Sequence, residues 1–300
     1  MKIIEVTDEL YLVDLPQNLE GFRDFISSWI LKHESKGLVV DVGPSSTIER
    51  LVEAIRYLKI DEVEYVLLTH IHIDHAGGIG KFLKYYPNAK VVVHEKGVKH
   101  IVNPEKLWKS SKEVLGKIAE AYEEPLPINE ENVYSGDIEF CGRTIEVIKT
   151  PGHAPHHQSY LIGDYLFLGE AAGVHMPLKE GYYLRPATPP KFFYDVYEDS
   201  LRKLLKIEGI ACFGHFGFEK NSVEIVEKAM DQIRLWVDVV SRIAKEREDE
   251  KEITDLARNE LLKRDQLFSR YKLLDEDVKK REDYFIENSL RGILDYVRSK

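Results

Sequence analysis

Cysteine is scarce in this sequence, which has only two in 300 residues, Cys141 and Cys212. Each lies in an apolar, strand-like run, so we expect two buried free thiols. Small domains that depend on disulfides carry cysteine at a much higher density. The sequence therefore excludes a disulfide framework, and the fold must be stabilised by an apolar core.

Long apolar runs are also missing. No stretch approaches the roughly 20 apolar residues that a membrane-spanning helix requires. The first ten residues, MKIIEVTDEL, reach charged side chains too early for a secretory signal. We therefore expect a soluble, cytoplasmic protein that does not bind membranes.

Basic residues are fewer than acidic ones, 42 against 52, and glutamine is rare. The net charge is −10, and an acidic chain binds nucleic acids poorly unless its basic residues cluster. Glutamine occurs at only four positions, whereas charged residues make up 31% of the chain. That combination is typical of thermophilic proteins. Apolar residues, at 43%, are sufficient for a globular core.

The stretch Thr69–His75 (THIHIDH) concentrates three histidines and one aspartate. It follows Val63–Leu68, a short apolar run that predicts a buried strand, and it precedes the amphipathic run Ile79–Tyr86. The cluster is therefore predicted to lie on a loop between a strand and a helix.

Imidazole nitrogens and carboxylate oxygens are ligands for zinc, iron and manganese. On a tight loop, alternate side chains can point at one centre. His70 and His72 could therefore share one metal ion, with Asp74 and His75 turned towards a second.

Further strands and helices alternate along the chain in two halves. Their periodicity predicts strands at 3–6, 10–15, 25–33, 38–42, 89–94, 144–149, 159–162, 165–168 and 210–213. Helices are predicted from 47 to 58, at 106–122 and 193–205, and throughout 221–300. The segment Gly173–Pro190 has no period and is predicted to be a loop.

Three more polar groups come directly after predicted strands of the second half. They are His153, Glu170 and His215. Loops that leave one edge of a sheet converge, so we expect these side chains to meet at one site. His33, His94, His100 and His175 belong to no such pattern and are assigned structural roles.

Five motifs in this order resemble the metallo-β-lactamase superfamily: LVVDVGPSS, HIHIDH, PGHAPHH, LFLGE and GHFG. The resemblance covers residues 1–220. It implies an α/β fold, the αβ/βα four-layer sandwich, with a metal site along one edge of two packed sheets. Residues 221–300 would form a C-terminal helical region packed on that domain.

The resemblance also implies the roles of individual residues. It places one metal ion on His70, His72 and His153, and a second on Asp74, His75 and His215, with Glu170 at the bridging position. Asp41 and His157 would support these ligands. The family usually has aspartate where this chain has Glu170, so the longer side chain predicts unequal metal affinities at the two positions.

The cofactor implied is one or two divalent metal ions, with zinc the first choice and iron or manganese as alternatives. Two such ions lower the pKa of a shared water to near neutrality and generate a nucleophilic hydroxide. Asp74 would orient that hydroxide and so act as a catalytic residue as well as a ligand.

Among the branches of the superfamily, the chain is most similar to glyoxalase II, the hydroxyacylglutathione hydrolases. This predicts a metal-dependent hydrolase of a small thioester, ester or lactone. The alternative is a persulfide dioxygenase with a single iron on His70, His153 and Glu170. A nuclease is disfavoured by the acidic charge, and a metal-free binding module by the complete set of ligands. The sequence does not indicate an oligomeric state.

Aromatic residues in and beside the 173–190 segment admit two interpretations. They are Tyr182, Tyr183, Phe192 and Phe193. They could anchor the segment to the core, or they could form an apolar wall over the metal ions. The sequence leaves both interpretations open.

Overall fold

The computed structural model describes residues 2–300. The chain divides into two compact units. The first contains the residues up to Ile148 together with His156–Gly163, and the second contains Lys149–Pro155 and Asp164–Lys300. Each unit carries one part of the predicted site, on loops that leave its strands.

A six-stranded sheet organises the first unit, and its strands lie side by side in sequence order. They are β1 (Ile3–Glu5), β2 (Leu10–Asp14), β3 (Ser27–His33), β4 (Lys36–Val40), β5 (Glu62–Leu67) and β6 (Lys90–Val92). The first four are antiparallel, whereas β4, β5 and β6 run parallel. A parallel pair needs a crossover, and helix α1 (Ile48–Tyr57) supplies it between β4 and β5.

Short helices follow β5 and β6 in the first unit. They are α2 (Ile73–Ala76), α3 (Ile79–Phe82), α4 (Glu95–Val102), α5 (Glu105–Leu115) and α6 (Lys117–Tyr122). The single helix predicted at 106–122 is wrong, because Gly116, with φ at +54°, separates α5 from α6. Three further strands complete the unit in the order β9-β8-β7: β7 (Glu139–Phe140), β8 (Arg143–Lys149) and β9 (Gln158–Ile162).

The second unit begins with β10 (Tyr165–Gly169) and the hairpin of β11 (Val174–Pro177) and β12 (Tyr182–Arg185). Helix α7 (Tyr194–Leu204) then leads to β13 (Ile210–Phe213) and β14 (Phe218–Glu219). Strand β13 pairs parallel with β10 on one side and antiparallel with β14 on the other. Helices α8 (Ser222–Ala244), α9 (Glu250–Arg264) and α10 (Glu276–Arg298) end the chain.

The prediction of a loop at 173–190 is wrong, because this segment contains the β11–β12 hairpin. Val174 pairs with Arg185 and Pro177 with Tyr182. Nearly all residues of both strands are buried, so neither face is exposed to solvent and no polar alternation appears in the sequence. A strand without alternation cannot be recognised from its period.

The aromatic residues near this hairpin are partly core residues. Tyr183 and Phe192 are buried, Tyr182 is half-buried, and Phe193 is 59% exposed. Tyr183 and Phe192 therefore anchor the segment, because their side chains contribute to the core of the second unit.

The helical C-terminal region is confirmed. Asn221 caps α8, since its side chain accepts a hydrogen bond from the backbone N–H of Glu224 at 3.1 Å. Trp236 of α8 is completely buried and donates from its indole nitrogen to Asp265 at 2.8 Å. The domain boundary predicted at 220/221 stays a prediction. Within residues 2–300, none of the helices combines the length and the apolarity needed to span a bilayer.

Both cysteines are free. Cys212, on β13, is buried as expected. Cys141 lies in the turn between β7 and β8 and is only half-buried, so the expectation of burial is wrong for this residue.

Asp14, at the end of β2, is a buried acid with a perturbed pKa. Burial, and after it the neighbouring carboxylate of Asp24, raise the pKa of Asp14 from 3.8 to about 6. The folded state therefore favours the protonated carboxyl. The pKa of Asp14 is higher in the folded than in the unfolded state, so its contribution to the free energy of unfolding is largest below the unfolded pKa. That contribution is lost as the pH rises through about 6.

We expect Asp14→Asn to abolish this pH-dependent loss of stability, because asparagine does not ionise. The unfolding free energy of the variant relative to the wild type should rise by about 1–2 kcal/mol between pH 4 and pH 7, allowing for partial solvent screening. Chemical denaturation of both chelator-treated proteins across that pH range measures the difference. The exposed residue Asp61 provides a matched control as Asp61→Asn. A difference that is constant with pH would contradict the assignment.

Candidate metal centre

The histidine loop joins β5 to α2, as the sequence predicts. His70 and His75 are buried, while His72 and Asp74 are half-buried. The ring centroid of His70 lies 4.6 Å from that of His72 and 4.2 Å from that of His75. The Nε2 atom of His75 is 3.9 Å from an Asp74 carboxylate oxygen. The four side chains of this loop are thus grouped closely.

Gly78 allows the loop to pack against the start of α1. A Cβ atom at this position would lie 2.3 Å from the Cδ1 atom of Ile48 and 3.0 Å from the carbonyl oxygen of Gly43. The amide of Gly78 donates to that carbonyl at 2.9 Å. The backbone contact therefore requires glycine and fixes the end of the histidine loop.

Asp41 holds the loop from the neighbouring strand. It follows β4 with φ at +56° and is 2% exposed. One carboxylate oxygen accepts the backbone N–H of Thr69 at 2.8 Å. The other accepts the hydroxyl of Thr69 at 2.7 Å and the Nδ1–H of His75 at 2.9 Å. One buried carboxylate thus orients both ends of the loop.

These contacts determine which imidazole nitrogens carry protons. The Thr69 hydroxyl has one proton and gives it to Asp41, so its oxygen accepts from Nδ1 of His70 at 3.0 Å. Nδ1 is therefore protonated in His70 and in His75. In each neutral ring, the lone pair that a metal ion would take is on Nε2.

His157, predicted to support the site, is completely buried, with its ring centroid 5.2 Å from that of His70. His156 is half-buried and stacks parallel to His70 at 6.3 Å. The backbone N–H of Gln158 donates to the carbonyl of Thr69 at 2.8 Å. This segment therefore lies beside the histidine loop within the first unit.

In the second unit, two parallel strands deliver Glu170 and His215. Gly169 ends β10 with φ at +57°, and its carbonyl accepts the N–H of Gly214 at 2.9 Å. The pairing of β10 with β13 shifts register between Phe167 and Gly169. The residues that follow the two strands therefore emerge next to each other.

Glu170 directs its two oxygens at two different imidazoles. One oxygen lies 2.9 Å from Nε2 of His153 and the other 3.3 Å from Nε2 of His215. Burial by itself would raise the pKa of Glu170, but the two imidazoles, when protonated on both nitrogens, hold that pKa well below its usual range. The carboxyl is therefore ionised and able to act as a ligand.

His153 lies on the turn after β8. Gly152 packs so closely on α7 that a Cβ atom would lie 2.8 Å from the Cα atom of Tyr197. Nδ1 of His153 is 3.0 Å from the carbonyl oxygen of Ala187. A carbonyl can only accept, so Nδ1 carries the proton and Nε2 is the ligand atom, as in the first unit.

The donor set fits a divalent transition metal. The candidate ligands are His70, His72, Asp74 and His75 in the first unit, and His153, Glu170 and His215 in the second. Ligands at zinc distances of 2.0–2.1 Å are about 3.3 Å apart in a tetrahedral site. The 2.9 and 3.3 Å separations around Glu170 are close to that value.

Two supporting groups were not identified from the sequence. Thr69 is the first residue of the histidine motif, and its signal in the sequence is a hydroxyl directly beside a candidate ligand histidine. The role of the Ala187 carbonyl cannot be read from the sequence, because every residue has a main-chain carbonyl whatever its side chain.

Comparison with known proteins agrees with this geometry. The model of the metallo-β-lactamase superfamily matches residues 21–215. A metallo-β-lactamase fold-containing protein of Sulfurisphaera tokodaii is 30% identical over 231 residues, which are 74% of this chain and 84% of that protein. A hydroxyacylglutathione hydrolase of Aeromonas salmonicida is 28% identical over 47% of this chain and 44% of its own length.

The fold comparison gives the same result over a larger part of the chain. The crystal structure of an archaeal metallo-β-lactamase superfamily protein from Sulfolobus tokodaii superposes with a TM-score of 0.69 and 25% identity. The superposition covers 96% of this chain and 98% of that one, including the C-terminal helical region. The predicted α/β sandwich is confirmed, and the chain belongs to the metallo-β-lactamase superfamily.

Proposed function

We propose that this protein is a metal-dependent hydrolase of a small thioester, ester or lactone. The observation that carries the proposal is the position of Glu170, whose two oxygens each face a different imidazole. A carboxylate in this position can contact two metal ions, which is the arrangement used by dinuclear hydrolytic sites.

The proposed ligands fall into two sets joined by one carboxylate. His70, His72 and His153 would hold one ion, Asp74, His75 and His215 a second, and Glu170 would contact both. Nitrogen and oxygen donors of this kind suit zinc first, and also iron or manganese. When bound, such ions polarise a carbonyl oxygen and lower the pKa of water to near neutrality.

The protein's own residues would orient the reactants. The half-buried carboxylate of Asp74 can accept a hydrogen bond from the attacking water and align it with the substrate carbonyl. Asp41 and Thr69 hold the loop that presents Asp74. The buried histidine rings keep bulk water away from the reacting atoms.

Neither cysteine is suited to act as the nucleophile instead of water. Burial raises the pKa of the Cys212 thiol well above its usual value. Burial, and next the carboxylate of Glu64, also raise the pKa of Cys141. A cysteine nucleophile requires the opposite shift, so water is the nucleophile in this proposal.

The substrate class rests partly on relatives. The hydroxyacylglutathione hydrolase is named for a thioester substrate, but this chain matches less than half of its length. The assay panel should therefore start with acyl-glutathione thioesters and continue with simple esters and lactones. A small-molecule substrate, without nucleic acid or membrane partners, is part of this proposal.

A persulfide dioxygenase with one iron is the second candidate. Two of its three expected ligands, His153 and Glu170, lie 2.9 Å apart within the second unit, and His70 of the first unit would be the third. Two histidines and one carboxylate are the usual ligands of iron in oxygenases. One iron per chain, with oxygen uptake on a persulfide and no hydrolysis of any ester, would favour this function.

We expect His70→Ala to abolish both metal binding and hydrolysis, because it removes a buried ligand. Elemental analysis of freshly purified protein and the substrate panel measure the two properties. His100→Ala, a half-buried histidine outside the site, is the control and should retain both. Hydrolysis at the wild-type rate without bound metal would refute the proposed function.

Thr69→Val should weaken metal binding roughly 10- to 100-fold, the usual effect of removing a group that orients a ligand. Valine keeps the shape of threonine but loses the contacts to Asp41 and to Nδ1 of His70. Competition with a coloured chelator gives the affinity. Thr254→Val, another buried threonine, is the control. Equal affinities for the two variants would contradict the role of Thr69.

Glu170→Asp should make the two metal affinities more nearly equal. Glutamate has one more rotatable bond than aspartate, and ordering that bond costs about 0.5 kcal/mol or more. The additional bond also loosens the geometry of the proposed bridge. Chelator titration of the wild type should remove one ion well before the other. Loss of both ions in one step from both proteins would show that the longer side chain makes no difference.

A further inference from the structure

We propose that helix α10 positions His153 as a metal ligand, through Ser289 and Thr188. This inference rests on the proposed function, since it assumes that His153 binds a metal ion. It assigns part of the C-terminal helical region a role in the metal centre. All of the contacts involved lie within the second unit.

The first step is the acceptor of His153. Its Nδ1–H donates to the carbonyl of Ala187 at 3.0 Å, and this bond sets both the tautomer and the plane of the imidazole. The direction of Nε2 towards Glu170 therefore depends on where the backbone at Ala187 lies.

The second step concerns the hydrogen bonds that hold the backbone on both sides of Ala187. The Ser289 hydroxyl donates to the carbonyl of Pro186 at 3.1 Å and accepts the N–H of Thr188 at 3.4 Å. The hydroxyl of Thr188 donates back to the carbonyl of Ser289 at 3.0 Å. Both neighbours of Ala187 are thus bound to the same residue of α10, which fixes the peptide between them.

Two further contacts extend this attachment. Glu282, two helical turns before Ser289, accepts the guanidinium of Arg185 in a buried ion pair. At Gly292, an added Cβ atom would lie 2.0 Å from the carbonyl oxygen of Thr188. The segment from Arg185 to Thr188 is therefore pressed against one face of α10, with no room for a side chain at the closest point.

A purely structural role for these contacts predicts a different result from a positioning role. If they only stabilise the fold, removing them should lower stability and leave metal affinity unchanged in the folded protein. If they position His153, metal affinity should fall and the hydrogen bond at Nδ1 should weaken, even at temperatures where the variant is fully folded.

The test uses the full chain loaded with zinc. Thr188→Val and Ser289→Ala each remove hydroxyl contacts, whereas Thr188→Ser retains the hydroxyl and should restore wild-type behaviour. Ser222→Ala and Thr254→Val are matched controls, because both residues are buried in the helical region and their hydroxyls donate to the carbonyls of Ile207 and Lys251. If Thr188→Val does not fold, the test is made with Ser289→Ala alone.

Two readouts are needed. Chelator competition should show zinc held roughly tenfold more weakly by Thr188→Val and Ser289→Ala than by the controls. Proton–nitrogen NMR of histidine-labelled protein should show the slowly exchanging Nδ1–H of His153 in the wild type and in the controls. In the two test variants, that proton should exchange faster with water.

The outcomes separate the inference from the proposed function. Wild-type protein that binds no metal ion would remove the basis of both. Wild-type protein that binds zinc, with test variants that match the controls in affinity and in Nδ1–H exchange, would overturn the role of α10 and leave the proposed function standing.

Discussion

The buried carboxylate of Asp41 is the constraint on which the histidine loop depends. A carboxylate that is 2% exposed loses its hydration and needs hydrogen bonds in return. It obtains them from the backbone and hydroxyl of Thr69 and from His75. Any movement of the loop would leave this charge without partners, so the position of His70, adjacent to Thr69, is fixed by the cost of burying one acid.

In the second unit, a neutral acceptor orients the histidine. The carbonyl of Ala187 takes the Nδ1–H of His153, where a carboxylate does so for His75. A carboxylate increases the basicity of its histidine more than a carbonyl does. The candidate ligands of the two units therefore differ in expected donor strength, which gives the proposed difference in metal affinity a source in addition to Glu170.

The sequence predicted the features that depend on local chemistry. His70, His153 and Glu170 could be predicted as candidate ligands because polar side chains follow apolar strands, and both signals lie within a few residues. The β11–β12 hairpin was missed because burial of both faces depends on the packed helices and leaves no period. The acceptor at Ala187 was missed because a carbonyl is common to every residue, and only the tertiary fold selects one.

Glu170 shows how a fold can accommodate a departure from the usual residue. The extra methylene could have moved the carboxylate too far forward to face two histidines. Instead, the strand that carries it ends in a register shift and in Gly169 with a left-handed φ, so the backbone direction changes just before the ligand. Both oxygens then reach an imidazole nitrogen. The substitution should therefore affect the relative binding of the two ions more than the fold.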